Sequence, residues 1–332
     1  MNIIKNKKIL YTIFTLFFII VFGIIIVTKA IFSSLGTDTT IVISIPQNFS
    51  VKQIAFSLNS MGVIRNPFLF RVLTRVSGNE NNMKAGEYEF KLPSSMWEIL
   101  KKIRNGEFKK YKITIPEGYT SAEIAELLSN AKIVDKEKFN NLLKDKKLLK
   151  KYNINGDSIE GYLFPDTYYL FKNMSEEVLI ENILSRFFGV FDENFNARVK
   201  EMKLTRHDVI ILASIVEKEA QVDNERRIIS AVFLNRMKKH IKLESCATVL
   251  YALGRHKKRL WEEDLKINSP YNTYIHTGLP KGPISNPGRA SIYAVLYPLE
   301  VDYLYFVSRN DGTHEFSKTF NEHAKNKRKF RR

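Results

Sequence analysis

Residues 204–220 read LTRHDVIILASIVEKEA, the most apolar helical segment of the sequence outside its N-terminus. Thr205, with Asp208 three residues later, forms an approximate capping box and predicts that a helix begins here. The run VIILASIV is apolar on nearly every side, which is typical of a helix buried inside a folded domain. Glu217 follows at the end of that run. The segment therefore predicts a central buried helix that carries a carboxyl group at its end.

The carboxyl group of Glu217 has two interpretations. If the helix continues, Ile210, Ala213 and Ala220 lie on the same face. Partial desolvation there favours the neutral form that a general acid needs. Alternatively, the helix ends in solvent and Glu217 is an ordinary surface charge. Position alone leaves the two interpretations equal.

Glu219 lies about 200° around the helix from Glu217, so the two carboxylates are not expected to converge on one bond as a glycosidase pair. Glu219 is instead predicted to be structural, paired with Arg226 or Arg227. A second helix is predicted over residues 224–238, with apolar side chains on its inner face.

Residues 9–28, ILYTIFTLFFIIVFGIIIVT, contain no charge over the length of about 20 residues that a helix needs to cross a bilayer. The small-residue cleavage site of a secretory signal is poorly matched by Thr28-Lys29-Ala30, so an uncleaved anchor is predicted. Three lysines in residues 1–8 place this short N-terminus in the cytoplasm by the positive-inside rule. Residues 33–40, SSLGTDTT, are small and polar, and residues 29–40 are therefore predicted to form a flexible tether. The rest of the chain is predicted to lie outside the inner membrane.

The net charge of +17 would ordinarily indicate nucleic-acid binding, but it is concentrated at the two ends of the chain. Residues 1–30 carry +4 and residues 325–332 carry +6, which leaves +7 for the middle. An exported body meets membrane headgroups and wall polymers, so no nucleic-acid partner is predicted. The basic tail over residues 325–332 is interpreted as a solvated, disordered charge run.

Cysteine and histidine usage gives no sign of a disulfide, a metal or a cofactor. Cys246 is the only cysteine, so an intramolecular disulfide is impossible. The six histidines include no pair at helical ligand spacing. The fold is therefore expected to depend on its apolar core.

An internal repeat marks the start of the folded sequence. IPQNFSVKQIAFSLNSMGVI (45–64) aligns without gaps on IPEGYTSAEIAELLSNAKIV (115–134). In each copy a strand that ends in Ile-Pro is predicted to turn into a helix at Ser50 or Thr120, whose side chains suit the helix N-cap. Residues 65–110 add a helix, a strand and a second helix.

The order of these elements predicts an α+β fold with a small module over residues 41–110 and a larger α+β domain over residues 111–324. Within the larger domain, residues 268–289 contain four prolines and three glycines, which exclude regular structure. A loop this long inside a compact domain tends to be functional. A short helix and two strands joined by an Asn-Asp-Gly turn are predicted after it.

Eight segments, in order between residues 115 and 308, resemble the YceG-like (MltG-type) endolytic murein transglycosylases, and the resemblance is taken to extend over roughly residues 41–325. They are IPEGYT, EGYLFPDTYY, LASIVEKEA, FLNRM, ATVLYALG, SPYNTY, GLPKGPISNPG and YLYFVS. The resemblance implies that residues 41–110 are a LysM-like module and residues 111–324 the catalytic domain. The catalytic glutamate of the family falls on the first Glu of IVEKE, which is Glu217.

The same resemblance implies a carbon–oxygen lyase that cleaves peptidoglycan between N-acetylmuramic acid and N-acetylglucosamine and leaves a 1,6-anhydro-N-acetylmuramic acid end. One carboxyl group suffices for this reaction, because the attacking group is the sugar's own 6-hydroxyl and no water must be positioned. The resemblance also implies trimming of nascent strands at the membrane, beside wall synthases or division proteins.

Two alternatives stay open. The chain could be a non-catalytic anchored module that binds peptidoglycan, or a muramidase that hydrolyses it with two carboxylates. For the second, Asp166 in FPDTYY is the best outside candidate, although Pro-Asp-Thr more often forms a turn.

Four further residues are candidates to hold sugar hydroxyl or acetamido groups: Asn235, Tyr271, Asn272 and Thr273. One segment departs from the family pattern, because LESCAT stands where many relatives read L-Q-(S/T)-D-x-T. Glu244 replaces an amide and Cys246 replaces an acid, which puts any shared role of these two positions in doubt. Cys246 is assigned no role, because a lone cysteine is more often a small hydrophobe than a nucleophile.

Overall fold

The computed structural model describes residues 2–191, 193–254, 257 and 260–330. The chain forms two compact units, one of Met1–Tyr111 with Phe171–Asn173, the other of Lys112–Leu170 with Met174–Arg332. Helices and strands are mixed in both. The predicted α+β class is therefore confirmed.

The first unit begins with a long helix, α1 (Asn2–Phe32). Its segment Leu10–Phe32 is long and apolar enough to cross a membrane. At its end, Ile31 is buried and the Phe32 ring lies 6.2 Å from that of Trp97.

Strand β1 (Leu35–Ile45) starts three residues after α1 ends and pairs antiparallel with β2 (Gly86–Ser94). The prediction of a flexible tether over residues 29–40 is therefore wrong. The β-branched run from Thr39 to Val42 favours extended backbone, and it pairs with residues 89–92 of β2.

Three helices complete the first unit: α2 (Val51–Ser60), α3 (Pro67–Val76) and α4 (Met96–Asn105). Ser50 caps α2 in a reciprocal pair with Gln53, as predicted for this start. The apolar faces of the elements share one core, which includes Ile43, Ile54, Leu58, Phe70, Tyr88, Phe90 and Leu100.

The second unit contains two pairs of short strands, β3 (Tyr111–Thr114) with β4 (Thr167–Leu170), and β5 (Tyr305–Ser308) with β6 (His314–Ser317). Its helices before the central one are α5 (Ser121–Asn130), α6 (Lys136–Leu142), α7 (Lys146–Lys151), α8 (Glu176–Gly189) and α9 (Glu193–Glu201). The central helix and those after it are α10 (Arg206–Glu219), α11 (Arg226–Lys238), α12 (Cys246–Leu253), α13 (Arg289–Leu296) and α14 (Phe320–Phe330).

Helix α10 is the buried helix predicted from residues 204–220. The Thr205 backbone N–H donates to Asp208 Oδ2 at 2.8 Å, and the Asp208 N–H donates to Thr205 Oγ1 at 3.1 Å, which completes the capping box. Every residue from Val209 to Val216 is buried. Helices α11, α12 and α13 pack around α10, so its end is surrounded by other helices.

The internal repeat is also visible in the backbone. Thr120 caps α5 through Glu123, as Ser50 caps α2. The equivalent turn residues Asn48 and Gly118 both have positive φ, 66° and 76°. The two copies therefore share one strand–turn–helix geometry.

The basic tail is helical up to Phe330, so the prediction of a disordered charge run is wrong for residues 325–330. Asn326 Nδ2 donates to Ser317 Oγ at 3.0 Å, and the His323 ring stacks on Tyr305 at 5.3 Å. The charges remain solvated because no residue of α14 is buried. Residues 331 and 332 lie outside the described part of the chain.

Candidate active site

Glu217 lies at the end of α10, where three helices meet, and its side chain is only 6% exposed. Its Oε2 accepts a hydrogen bond of 3.0 Å from the backbone N–H of Gly288, the N-cap of α13. Its Oε1 lies 3.5 Å from Nη2 of Arg226, the first residue of α11. Glu217 is therefore not an ordinary surface charge.

The surroundings of Glu217 compensate a negative charge. Arg226 contributes a full positive charge, and it is held in place by Asp223 and by Ser291 Oγ at 3.1 Å from its Nε. The start of α13 adds the partial positive charge of a helix N-terminus. A carboxyl group here can lose a proton without becoming an uncompensated buried charge.

A second carboxyl group, that of Glu117, lies beside the first. Its side chain packs so closely over Gly288 that a Cβ atom on this glycine would overlap it. Unlike Glu217, Glu117 is exposed. Its pKa is raised, first because it is partly desolvated and second because of the negative charge of Glu217, with Arg226 acting in the opposite direction.

Glu117 and Arg226 were both missed from the sequence as partners of Glu217. One signal was present for Glu117, because the internal repeat has Gln47 at the equivalent position. The first copy has a neutral amide at this position and the second has an ionisable carboxyl group, although the two turns are otherwise similar.

The turn that carries Glu117 is fastened by the loop that ends at Gly288. Asn286 is fully buried, and its Nδ2 donates to the Tyr119 carbonyl at 2.9 Å. The backbone of Asn286 accepts from the Gly118 N–H at 2.9 Å, and its Oδ1 accepts from the Leu163 N–H at 2.8 Å. Asn286 therefore joins its own loop to the turn at residues 118–119 and to the segment that contains Leu163. Residues 268–288, which include Asn286, contain neither helix nor strand.

Glu160 is a third acid in this region, but it is closed off from solvent. It accepts hydrogen bonds from the Ser121 N–H and hydroxyl, each at 3.0 Å, and from Asn286 Nδ2 at 3.0 Å and Tyr251 at 3.2 Å. Burial raises the pKa of Glu160 to about 7, and hydrogen bonds from Ser121, Tyr251 and the Gly161 backbone limit the rise. Glu160 therefore supports the fold beneath the site.

Glu219 points away from Glu217, as its position on the helix predicts, but its predicted arginine partners are wrong. Its Oε1 accepts from Ser245 Oγ at 2.5 Å, and the Ala247 backbone also donates to it. Arg227 instead donates to the Tyr297 carbonyl at 2.6 Å. The pKa of Glu219 is raised by burial, against these hydrogen bonds and the nearby His314. Glu219 thus anchors the start of α12, which is a local partner that spacing along α10 does not reveal.

Two of the four candidate sugar-binding residues are closed to solvent. Asn272 is 0% exposed and donates to the carbonyls of Leu265 and Ile267, each at 2.9 Å. Thr273 is 1% exposed, and its hydroxyl accepts from the Ser245 N–H at 3.0 Å. These side chains shape the loop and present no surface to a glycan.

The other two candidates differ from each other. Asn235 donates to the carbonyls of Val301 and Tyr303 at 2.7 and 3.2 Å, so its amide fixes the chain before β5. Tyr271 is half-buried and packs on Tyr251, with ring centroids 4.9 Å apart. Of the four, Tyr271 stays a candidate for contact with substrate.

The departures from the family pattern have structural partners. Glu244 pairs with Arg236 at 2.9 Å, and the Cys246 sulfur lies 3.1 Å from the Tyr274 hydroxyl. Desolvation raises the pKa of the Cys246 thiol, so it is not an activated thiolate.

The Asp166 carboxylate, the candidate for a second hydrolytic carboxyl group, forms an ion pair with Arg186 at 2.6 Å. Within the described ranges, no group of three or more His, Cys, Asp or Glu side chains is arranged to hold a metal ion.

Comparison with known proteins shows that the chain belongs to the YceG-like family, whose sequence model matches residues 43–329. It is 34% identical over 330 residues to the endolytic murein transglycosylase of Bacillus subtilis (strain 168), which covers 94% of this chain and 91% of that protein. A crystal structure of a YceG-like protein from Listeria monocytogenes matches with a TM-score of 0.61 and 34% identity, over 86% of this chain and 98% of that one.

A second relative is longer. The chain is 27% identical over 321 residues to the endolytic murein transglycosylase of Streptococcus pneumoniae serotype 2 (strain D39 / NCTC 7466), which covers 86% of this chain but 57% of that protein. The family membership that the sequence motifs predicted is confirmed.

Replacing Asn286 by Asp is expected to destabilise the second unit by about 3 kcal/mol, because it removes two buried donor hydrogens and places a second carboxylate beside Glu160. Urea unfolding of the detergent-solubilised chain, followed by circular dichroism, measures the change. Asn141→Asp is the matched control, since Asn141 is exposed on α6. Equal unfolding midpoints for the two variants would contradict the role of Asn286.

Stability is expected to depend on pH through Glu160, whose pKa is about 7 in the folded chain against an ordinary value of 4.5. The folded state holds this proton more tightly than the unfolded chain. The resulting stabilisation, up to about 3 kcal/mol, is fully present below pH 4.5 and is lost as the pH rises through 7. The difference in urea stability between pH 4.5 and pH values above 7 should shrink in Glu160→Gln. An unchanged difference would refute the assignment.

Proposed function

We propose that this chain is an endolytic peptidoglycan lytic transglycosylase and that Glu217 is its central acid/base. The observation that carries the proposal is the position of Glu217, at the meeting point of three helices and beside Arg226. The names of the Bacillus and Streptococcus relatives support the reaction class and the substrate, which is the glycan strand of peptidoglycan.

In the proposed reaction the bond between C1 of N-acetylmuramic acid and the oxygen of N-acetylglucosamine breaks. A carboxyl group protonates the leaving oxygen, and the resulting carboxylate takes the proton of the 6-hydroxyl as O6 bonds to C1. The product ends in 1,6-anhydro-N-acetylmuramic acid. No water is consumed, so a second carboxylate is not needed to position one, in contrast to hydrolysis.

The contacts of Glu217 suit this sequence of proton transfers. Whenever the Glu217 carboxyl group is ionised during the reaction, the Gly288 N–H and Arg226 stabilise its negative charge. Arg226 is held by Asp223 and Ser291, and Gly288 by its position at the N-cap of α13, so both groups are fixed by contacts within the protein.

The apolar segment Leu10–Phe32 supports a location at the inner membrane. In the proposed arrangement the short N-terminus is cytoplasmic and the residues that follow the apolar segment lie outside, where peptidoglycan is made. The proposal extends to trimming of nascent strands next to the membrane, beside wall synthases or division proteins, and this placement supports it.

Digestion of purified peptidoglycan is expected to give fragments that end in 1,6-anhydro-N-acetylmuramic acid, with no oxygen from isotopically labelled water at the new ends. Glu217→Gln should lower the rate by at least about 100-fold, which is the contribution typical of general acid–base catalysis. Mass spectrometry of the fragments measures both the product and its yield.

Glu300→Gln is the control, since Glu300 is exposed and lies outside the site. Labelled reducing ends from the unmodified chain would identify a muramidase instead. Binding of peptidoglycan without any cleavage would identify a non-catalytic wall-binding module.

Deletion of residues 1–30 is expected to release the protein from membranes with its cleavage activity retained, because the strands and the other helices of the first unit, and all of the second unit, follow this segment. The deletion leaves Ile31 and Phe32, which pack on the first unit. Cell fractionation followed by the cleavage assay tests both parts. Continued sedimentation with membranes would disprove the anchor, and loss of activity in a folded product would make membrane attachment part of the reaction.

A further inference from the structure

The candidate site contains two carboxyl groups that meet at one backbone position. Glu217 accepts the N–H of Gly288, and Glu117 packs over the Cα of the same residue. The two side chains come from segments 100 residues apart, since Glu117 lies in the turn after β3 and Glu217 at the end of α10. The two segments are joined a second time, by a 3.2 Å hydrogen bond from Lys218 Nζ to the Gly118 carbonyl.

The two carboxyl groups differ in access. Glu217 is 6% exposed and both of its oxygens have protein partners. Glu117 is exposed, so it is the member of the pair that an incoming glycan meets first.

We propose that Glu117 is a second catalytic carboxyl group, which shares with Glu217 the two proton transfers of the reaction. This inference rests on the proposed lytic reaction and divides its acid and base steps between two residues. Glu117 donates a proton to the leaving oxygen as the bond from C1 to that oxygen breaks. Glu217 accepts the proton of the 6-hydroxyl as the bond between C1 and O6 forms.

The transfer of one proton from Glu217 back to Glu117 then restores both groups, and no proton or water is consumed overall. Both steps occur on the same face of the sugar ring, because the leaving oxygen and O6 occupy the same face of C1. Two adjacent carboxyl groups on one side of the substrate meet this requirement. A hydrolase needs its two groups on opposite sides of the bond.

The electrostatics agree with this division of roles. The charged groups around Glu117 are Glu217 and Arg226, with Lys218 bound to the neighbouring carbonyl. Glu217 and partial desolvation raise the pKa of Glu117, while Arg226 opposes the rise. A raised pKa favours the protonated form of Glu117, which is the form that a general acid needs.

The close approach of Glu117 and Glu217 depends on the absence of a side chain at Gly288. Its φ of −75° is open to any residue, so its backbone does not require glycine. Glycine is needed for the position of the Glu117 side chain. A Cβ atom at residue 288 would occupy the same space as the Glu117 carboxyl group and would displace it.

The first test uses Glu117→Gln and Glu117→Asp in the full chain, with Glu300→Gln as the control. Cleavage of soluble glycan strands is followed by mass spectrometry across a range of pH. Glu117→Gln should lower kcat by about 100-fold or more with little change in KM, and it should remove the alkaline limb of the pH profile. Glu117→Asp should keep that limb and part of the rate.

A rate within about threefold of the unmodified chain in Glu117→Gln would overturn the proposal. A lower rate with an unchanged pH profile would also overturn it, because a purely structural role predicts that result. Thermal unfolding of each variant shows whether the fold is kept.

If Glu117→Gln does not fold, Gly288→Ala tests the proposal in its place. The added methyl group displaces the Glu117 carboxyl group, and the backbone N–H that binds Glu217 is retained. Its activity should fall by a similar factor, while Gly189→Ala, at a position with open space, should leave it unchanged. Full activity in Gly288→Ala would overturn the proposal.

Failure of the proposed function is a separate result. If the unmodified chain released labelled reducing ends, the lytic reaction would be wrong, whereas normal anhydro products from Glu117→Gln at full rate would refute only the role of Glu117.

Discussion

The hydrogen bond from the Gly288 N–H to Glu217 depends on the meeting of segments that are far apart in the sequence. Helix α10 brings Glu217 to the site, and the loop that ends at Gly288 closes over it. Asn286 fixes that loop to the turn that carries Glu117, through bonds to both the side chain and the backbone of Asn286. Asn286 is fully buried, so the loss of one of its partners leaves a polar group unsatisfied, at a cost of about 1–3 kcal/mol. The site is therefore maintained as a unit.

Local sequence signals predicted the elements that form the site. The capping box of Thr205 and the unbroken apolar run behind it identified α10, because both signals act within a few residues. The repeat at Ser50 and Thr120 likewise identified two strand–helix turns, and both formed as expected. The carboxyl group at the end of α10 could be named for the same reason, since its position follows from the helix alone.

The surroundings of Glu217 could not be predicted in this way, because they depend on tertiary contacts. Arg226 or Arg227 was expected to pair with Glu219 from its distance along the chain, yet α11 directs Arg226 to Glu217. Asn272 and Thr273 have the chemistry of sugar-binding residues, but tight turns bury them against backbone groups. A polar side chain in a loop can stabilise the loop itself or bind a ligand. Only its burial and its hydrogen-bond partners in the folded chain distinguish these two roles.

The same criterion separates the acids around α10. Glu160 and Glu219 are enclosed by neutral donors, from Ser121 and Asn286 in one case and from Ser245 in the other, so each is satisfied within the protein. Burial raises the pKa of both, but neither can reach a ligand. Glu217 and Glu117 instead share a cationic neighbour and a helix N-terminus, and one of them reaches the surface. The pKa of the exposed Glu117 is raised as well, so a perturbed pKa alone does not separate the enclosed acids from an acid that a ligand can reach. The proposed catalysis also requires access, and of the acids around α10 the pair beside Gly288 combines a cationic neighbour with one exposed member, Glu117.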